Sequence, residues 1–397
     1  GNSIASGGNY NVVVGDEAGT AITTGDNNTA IGNAALDATT TSSDNSGIGY
    51  NALGTNITGA SNTGVGSLAL FSNTTADNNT AVGKSALQAN TTGTNNTAMG
   101  QNAGVSVTTG VENILIGNQA GDALIDADHN VAMGYASLSA DTYGSQSTAI
   151  GHFALHAQNF TSATDTNNTA VGFHAGISVT TGANNTFVGG LAGDANTTGA
   201  GNTGIGKNAL GGNTTAAANT AVGTNAMLAN TTGASNVAVG HQALDSNTTA
   251  SNNVAVGKDA LQANTTGANN TAVGYLALDA NTTAANNTAV GRDSLGANTT
   301  GAQNTAVGQS AGLGITTGTY NSAFGYQSMN TGSTTGSYNT AYGAQSAQAM
   351  TTGASNIAVG NSALTANTTG DSNVAVGESA LTANTTGTQN VAVGTSA

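Results

Sequence analysis

The chain has no proline, no cysteine and no tryptophan, and only 6% of its 397 residues are charged. Without cysteine, neither disulfides nor thiolate ligands can stabilise the fold, and the sequence carries no redox information. Four basic residues against a net charge of −15 make binding to nucleic acid or to an anionic membrane improbable. No segment approaches the roughly 20 apolar residues of a membrane span, and we expect no signal peptide.

A repeat of 17 residues runs along the whole chain. Its anchor reads Asn-Thr-Ala-Val-Gly, as at residues 79–83, 219–223 and 304–308. The anchor glycine recurs in three unbroken series, Gly15 to Gly151, Gly172 to Gly325 and Gly343 to Gly394. This gives 23 copies, with four extra residues within 152–171 and one extra residue within 326–342. One strand-like segment per short, fixed period predicts an all-β parallel solenoid whose coils stack on their neighbours.

The length alone would suggest two or three domains, but the repeat predicts one continuous rod over residues 1–397. Stacking the coils at about 4.8 Å gives a straight rod on the order of 110 Å long. We expect the four extra residues to bulge near Asn159 without interrupting strand pairing. The chain begins at Gly1 and ends within a coil after Gly394, so we interpret it as a segment of a longer fibre with caps outside it.

We number each coil from its anchor Asn as position 1, so the anchor Gly is position 5. Position 4 is large and apolar, whereas position 3 is Ala or Gly except at Val13, Leu115 and Phe187. Because strand side chains alternate, positions 2 and 4 share one face and position 3 takes the other. We expect positions 2 and 4 to fill the interior and position 3 to lie against another chain. The alternative places position 3 inside and exposes a Thr-Val-Ile stripe that another chain would cover.

Positions 9 and 12 vary together. Position 9 is usually Leu, and where it is small, position 12 changes from polar to apolar. The pairs are Gly19 with Ile22, Gly104 with Val107, Gly121 with Leu124, Gly176 with Val179, Gly312 with Ile315 and Ala347 with Met350. Gly193 with Asn196 is the exception. Because close-packed interiors conserve volume, the side chains of positions 9 and 12 should fill one pocket. We also expect a second short strand around the Ala-Leu pair at positions 8 and 9.

Asn-Thr-Thr at positions 12–14, as at Asn90 and Asn264, is formally an N-glycosylation acceptor. Because position 12 exchanges with core residues, we favour a buried ladder of stacked Asn amides. The acceptors at position 17, such as Asn27, Asn95 and Asn269, should be more exposed.

Position 6 should also face water, since it holds all four basic residues. Its occupants include Lys84, Lys207, Lys258, Arg292, Asp16, His152, His241, Glu378, Tyr50, Tyr135, Tyr275 and Tyr326.

Two clusters contain residue types that bind metals, although solvated turn residues are the alternative interpretation of both. A Ca²⁺ site would use the carboxylates near residue 125, and a zinc site the histidines around the insertion. The members are Asp122, Asp126, Asp128 and His129 in the first cluster, and His152, His156 and His174 in the second. The acidic cluster does not recur and the histidines occupy different positions of the coil. We therefore predict no metal, cofactor or catalytic residues and no enzyme activity.

The anchor Asn-Thr-Ala-Val-Gly, preceded by Asn or Ser, resembles the head repeat of YadA-like trimeric autotransporter adhesins, and is similar to repeats in phage-type tail fibre proteins. The resemblance covers essentially the whole chain. It implies a left-handed parallel β-roll and three chains associated side by side. It also implies that Val82 and its equivalents fill the roll, while Ala81 and its equivalents face the trimer axis.

The expected function is that of a structural and adhesive fibre, an extracellular rod or spacer on a cell surface or a virion. Its partners would be identical chains, in a homotrimer, and a host-surface receptor or glycan. The first alternative is an ice-binding solenoid, because stacked threonines form regular hydroxyl arrays at the strand spacing. The second is a polysaccharide-degrading solenoid enzyme. Thermal hysteresis and the release of reducing sugar distinguish these alternatives.

Overall fold

The computed structural model describes residues 7–397, which form 25 short strands and contain no helix. The chain divides into two compact units, one ending at Gly201 and the other comprising Asn202–Ala397. The first unit contains β1 Val12–Val14, β2 Thr29–Ile31, β3 Ser46–Ile48, β4 Thr63–Val65, β5 Thr80–Val82, β6 Thr97–Met99, β7 Ile114–Ile116, β8 Val131–Met133, β9 Gly144–Ser145, β10 Thr148–Ile150, β11 Thr164–Asp165, β12 Thr169–Val171 and β13 Thr186–Val188.

The second unit contains β14 Thr203–Ile205, β15 Thr220–Val222, β16 Val237–Val239, β17 Val254–Val256, β18 Thr271–Val273, β19 Thr288–Val290, β20 Thr305–Val307, β21 Ser322–Phe324, β22 Thr340–Tyr342, β23 Ile357–Val359, β24 Val374–Val376 and β25 Val391–Val393. In both units the strand of one coil pairs in parallel with the strand of the next. Equivalent positions pair, as Thr80 with Thr97 and Val254 with Thr271. The predicted all-β parallel solenoid with a spacing of 17 residues is confirmed.

The strand turns its small residue inward. Ala81 is fully buried, whereas Thr80 and Val82 on either side of it are half-buried. Position 3 is buried in every coil except those of Val13 and Ala392, where it is half-buried, and positions 2 and 4 are half-buried or exposed throughout. The expectation that position 4 fills the interior is therefore wrong, and the alternative with position 3 inside is the observed geometry. The interior is too narrow for side chains larger than Ala opposite the leucine of position 9.

Positions 8 and 9 supply most of the remaining interior. Ala86 and Leu87 are both fully buried. They do not form the expected second strand, because positions 7 and 9 have left-handed backbone, with φ of 57° at Ser85 and 49° at Leu87. A left-handed residue breaks the extended conformation and costs about 1–2 kcal/mol. Burying a leucine side chain contributes about 1.5–3 kcal/mol, which offsets that cost.

The anchor glycine is required by its backbone. Gly240 has φ of 136°, a region that side-chain-bearing residues rarely adopt. A Cβ at this position would also lie 2.5 Å from the carbonyl oxygen of Gly257, the equivalent residue of the next coil. Both the turn after the strand and the close stacking of coils therefore exclude any other residue at position 5.

Two ladders of buried asparagines connect successive coils. At position 12, Asn264 donates its side-chain amide to Asn247 Oδ1 at 3.0 Å and accepts from Asn281 Nδ2 at 2.9 Å. At position 1, Asn253 Nδ2 donates to the carbonyl of Gly267 at 2.9 Å, and Asn264 donates to the same carbonyl at 3.0 Å. The predicted ladder at position 12 is confirmed, and Asn90 and Asn264 are buried. The second ladder, at position 1, was not foreseen.

The compensation between positions 9 and 12 is confirmed, and position 3 also takes part. A Cβ at Gly121 would lie 2.8 Å from both Leu124 Cδ1 and Leu115 Cδ2, so three positions share one pocket. This explains the exception at Gly193, whose partner Asn196 is polar. The ring of Phe187 at position 3 occupies the space over Gly193 and is fully buried.

Both insertions leave the strand pairing intact. β10 pairs with β12 in register across the four extra residues, which include the exposed residues 161–163 next to exposed Asn159. The predicted bulge is therefore confirmed. The short strands β9 and β11 pair beside it. β21 likewise pairs with β22 across the single extra residue, where Thr334 takes the place of the position 12 residue and donates to the carbonyl of Met350.

Candidate interaction surface

The outer strand face is formed by positions 2 and 4 of every coil. Within the second unit its side chains include Val239, Val273 and Val290, which are 36–37% exposed although both neighbouring coils are present. Position 2 adds a parallel row of Thr and Val. Each unit therefore presents two adjoining rows of mostly β-branched side chains on a parallel sheet, at the spacing of about 4.8 Å between strands.

Position 6 forms an exposed column directly after this face. All four basic residues are exposed there, as are the acidic, histidine and tyrosine side chains that share the column. Position 17 is exposed at Asn27, Asn95 and Asn269. The prediction that both columns face water is confirmed. Side chains at these turn positions extend from the coil into solvent, so charged residues can be placed there.

Three consecutive coils of the first unit carry an aromatic ring at position 6. We call Tyr135, His152 and Phe173 the aromatic strip. Ring centroids are 5.3 Å apart between Tyr135 and His152 and 5.6 Å apart between His152 and Phe173. The corresponding ring planes differ by 23° and 22°. The spacing follows the stacking of the coils, so the strip runs along the direction of strand stacking.

His152 and Phe173 lie side by side rather than face to face. Phe173 is stacked on His174 at 3.8 Å with planes 13° apart. His152 is nearly equidistant from these two rings, at 5.6 Å and 5.7 Å, so it lies beside the stacked pair. Phe153 meets Tyr135 and His152 edge-on, with interplanar angles of 74° and 78°. Residues at position 7 thus back the strip.

The opposite side of the strip is open to solvent. Tyr135 is 46% exposed and Phe173 is 54% exposed. The next coil has Gly190 at position 6, and a Cβ built there meets no atom within 4 Å. A side chain added at Gly190 would therefore begin in open space at the end of the strip. Its backing by Phe153 and His174 holds the rings in place by aromatic packing.

The residues of the candidate Ca²⁺ site each contact a different partner. Asp126 accepts a hydrogen bond from Thr109 Oγ1 at 2.6 Å, and Asp128 accepts one from the Val111 backbone at 2.8 Å. His129 lies 3.2 Å from Glu112. Of the zinc candidates, His156 Nδ1 is 2.7 Å from Ser139 Oγ, while His152 and His174 belong to the aromatic packing. Within residues 7–397 no three His, Asp or Glu side chains are grouped to hold a metal.

Half-buried carboxylates occur at position 10. Burial raises the pKa of Asp122, Asp194, Asp245 and Asp279 above the usual aspartate value. The nearby imidazoles of His156, His174 and His241 act in the opposite direction on the first three. At Asp245 and Asp279 the neighbouring Asp259 carboxylate adds to the increase. The four aspartates lie on four different coils.

The aromatic strip was visible in the sequence as Tyr135, His152 and Phe173 at one position of consecutive coils. Histidine is also a metal ligand, so its presence at this position does not by itself indicate an aromatic surface. Within the described residues 7–397, no helix has the length and apolar character of a membrane span. No protein-family model matches the chain, and no curated protein shows significant similarity to it.

Proposed function

We propose that this chain is a structural and adhesive fibre, a surface adhesin or tail fibre segment that acts outside the cell as a rigid rod or spacer. The observation that carries the proposal is the outer strand face. A stripe of half-exposed Val, Ile and Met side chains along the sheet of each unit is unusual for a monomer in water, because large apolar patches mark association surfaces. Identical copies packed side by side would cover it.

The proposed assembly is a homotrimer of left-handed β-rolls, the number and the hand being those that the YadA-like resemblance implies. Its axis would lie along the outer strand face, so that positions 2 and 4 of the three chains meet. The interior supports this arrangement, since Ala at positions 3 and 8 leaves little apolar area inside a single coil. Burial of the valine and isoleucine rows between chains would supply the missing area.

The test is the mass in solution. At micromolar concentration, multi-angle light scattering should give three times the 38.0 kDa chain mass. The double variant Val239→Lys and Val273→Lys places charges on the outer strand face and should lower the mass to that of one chain. Thr266→Lys, exposed at position 14 on another side of the coil, should not. A stable, soluble wild-type monomer would contradict the proposal.

The single rod over residues 1–397 belongs to the same proposal. Small-angle X-ray scattering should give a maximum dimension on the order of 110 Å, the product of the coil number and the strand spacing. A much shorter particle would show that the two units do not continue one another.

One observation favours ice binding as a second candidate. The adjoining Thr and Val rows of positions 2 and 4 form a regular array of hydroxyl and methyl groups at the strand spacing. At positions 13 and 14, by contrast, Thr265 is half-buried and donates to the Thr282 carbonyl, while Thr266 faces water. Measurable thermal hysteresis, lost in the Val239→Lys and Val273→Lys variant, would favour this candidate over the fibre.

A further inference from the structure

We propose that the aromatic strip of Tyr135, His152 and Phe173 binds an extended, neutral, β-linked oligosaccharide along the direction of coil stacking. The inference rests on the proposed adhesive fibre and names the class of ligand that such a fibre would recognise. It concerns a short segment of the first unit, where the uniform surface of the repeat is interrupted.

The geometry of the strip suits a sugar ring. The face of an aromatic ring is the negative part of its quadrupole, and it attracts the weakly positive C–H groups on the apolar face of a pyranose. Here the planes of neighbouring rings differ by only 23° and 22°, Phe153 and His174 pack against the rings, and Tyr135 and Phe173 are about half exposed. A sugar chain with successive pyranose faces in line could therefore contact all three rings.

The spacing and the hydrogen-bonding groups favour an extended chain. The centroid separations of 5.3 Å and 5.6 Å are close to the length of one pyranose unit in a straight, ribbon-like glycan. A helical α-linked chain would leave this straight row after one ring. The Tyr135 hydroxyl and the His152 ring nitrogens can exchange hydrogen bonds with sugar hydroxyls at the edge of the strip.

The negative charge of the chain argues against anionic ligands at the aromatic strip. The chain carries a net charge of −15, and all four of its basic residues lie at other coils of the column. A nucleic acid or a sulfated glycan needs cationic side chains beside the stacking rings to compensate its own charge. The strip has none in coils 8–11, residues 130–201, which contain no Lys or Arg. A neutral glycan has no such requirement.

Binding can be measured by saturation-transfer NMR and calorimetry with cellohexaose, chitohexaose and β-1,4-mannohexaose. Maltohexaose serves as the α-linked comparison and heparin as the polyanion. At least one β-linked hexaose should bind, with saturation strongest on its ring C–H protons. Phe173→Ala and Tyr135→Ala should each weaken binding at least tenfold. Tyr275→Ala removes an exposed tyrosine of the same column outside the strip and should leave binding unchanged.

A gain of affinity provides a test that unfolding cannot mimic. Gly190 has room for a side chain and its backbone does not require glycine, so Gly190→Tyr should extend the strip to four rings and tighten binding severalfold. The proposal is overturned if none of the three β-linked hexaoses binds, if maltohexaose or heparin binds better, or if Phe173→Ala binds like the wild type. A change of mass in Phe173→Ala would assign the strip to chain association instead. The fibre proposal stands or falls separately, on the wild-type mass.

Discussion

The interiors of the two units are filled in different ways. In the first unit, five of the eleven coils have Gly at position 9, and three have a large residue at position 3. In the second unit, position 3 is Ala or Gly in all twelve coils, and Gly312 is the one glycine at position 9. Strand pairing and register are nevertheless the same in both units.

The difference shows that the coil conserves a volume and not a residue. Leu at position 9 can be replaced by Ile or Val at position 12, by Phe at position 3, or by a combination of these. Glycine at position 9 carries a separate advantage, because the left-handed backbone there suits it. In the five coils of the first unit with Gly at position 9, the backbone is less strained but no leucine is buried there. Side chains at positions 3 and 12 fill the interior volume instead.

The largest effect is expected at the ring that replaces a leucine. Phe187→Ala should destabilise the protein by about 3–5 kcal/mol, because neither Gly193 nor Asn196 can fill the resulting cavity. Adding Gly193→Leu would install the arrangement of the second unit and should recover about half of the loss. Thermal unfolding followed by circular dichroism checks both. Equal stability of Phe187→Ala and the wild type would contradict the shared pocket.

A smaller effect is expected from the reverse exchange. Leu115 fits at position 3 because Gly104 and Gly121 leave space for it, where an added Cβ would lie 2.6 Å and 2.8 Å from its methyl groups. Ala221 instead lies between Leu210 and Met227 at position 9. Ala221→Leu should therefore overpack the interior and cost about 1–3 kcal/mol.

The mass in solution of Ala221→Leu tests whether position 3 faces the interior or another chain. Since this residue faces the interior, any change of mass in Ala221→Leu should follow from unfolding, and the exposed control Lys207→Ala should change neither mass nor stability. Loss of the oligomer in Ala221→Leu with an unchanged unfolding temperature would mean that position 3 lies between chains.

The smallest effect is expected at a half-buried carboxylate of the second unit. Burial raises the pKa of Asp245 above its usual 3.8, so the folded state binds this proton more tightly than the unfolded state. The ionised carboxylate therefore opposes folding at neutral pH, and this penalty disappears as pH falls through the folded pKa. Asp245→Asn should raise Tm by about 1 °C at pH 7, with the difference vanishing below pH 3.8.

The exposed carboxylate of Asp16 provides the control for this prediction. Asp16→Asn removes the same charge from a solvated position, so it should shift Tm less than Asp245→Asn does at pH 7. A fall in Tm for Asp245→Asn would mean that the ionised carboxylate stabilises the fold.

The sequence by itself determined the solenoid, the coil boundaries, the exposed columns at positions 6 and 17, and the pocket shared by positions 9 and 12. A strict period places equivalent residues of successive coils on top of one another. The substitutions among copies then show which positions share one volume and which accept a charged side chain. The tertiary structure decided which strand face lies inside. Alternation relates Ala81 to Val82 but does not orient the strand, and only the left-handed backbone at Leu87 brings that leucine over the alanine face. The structure also decided the orientation of the rings in the aromatic strip, because ring orientation depends on contacts with Phe153 and His174 that lie beyond the repeat pattern.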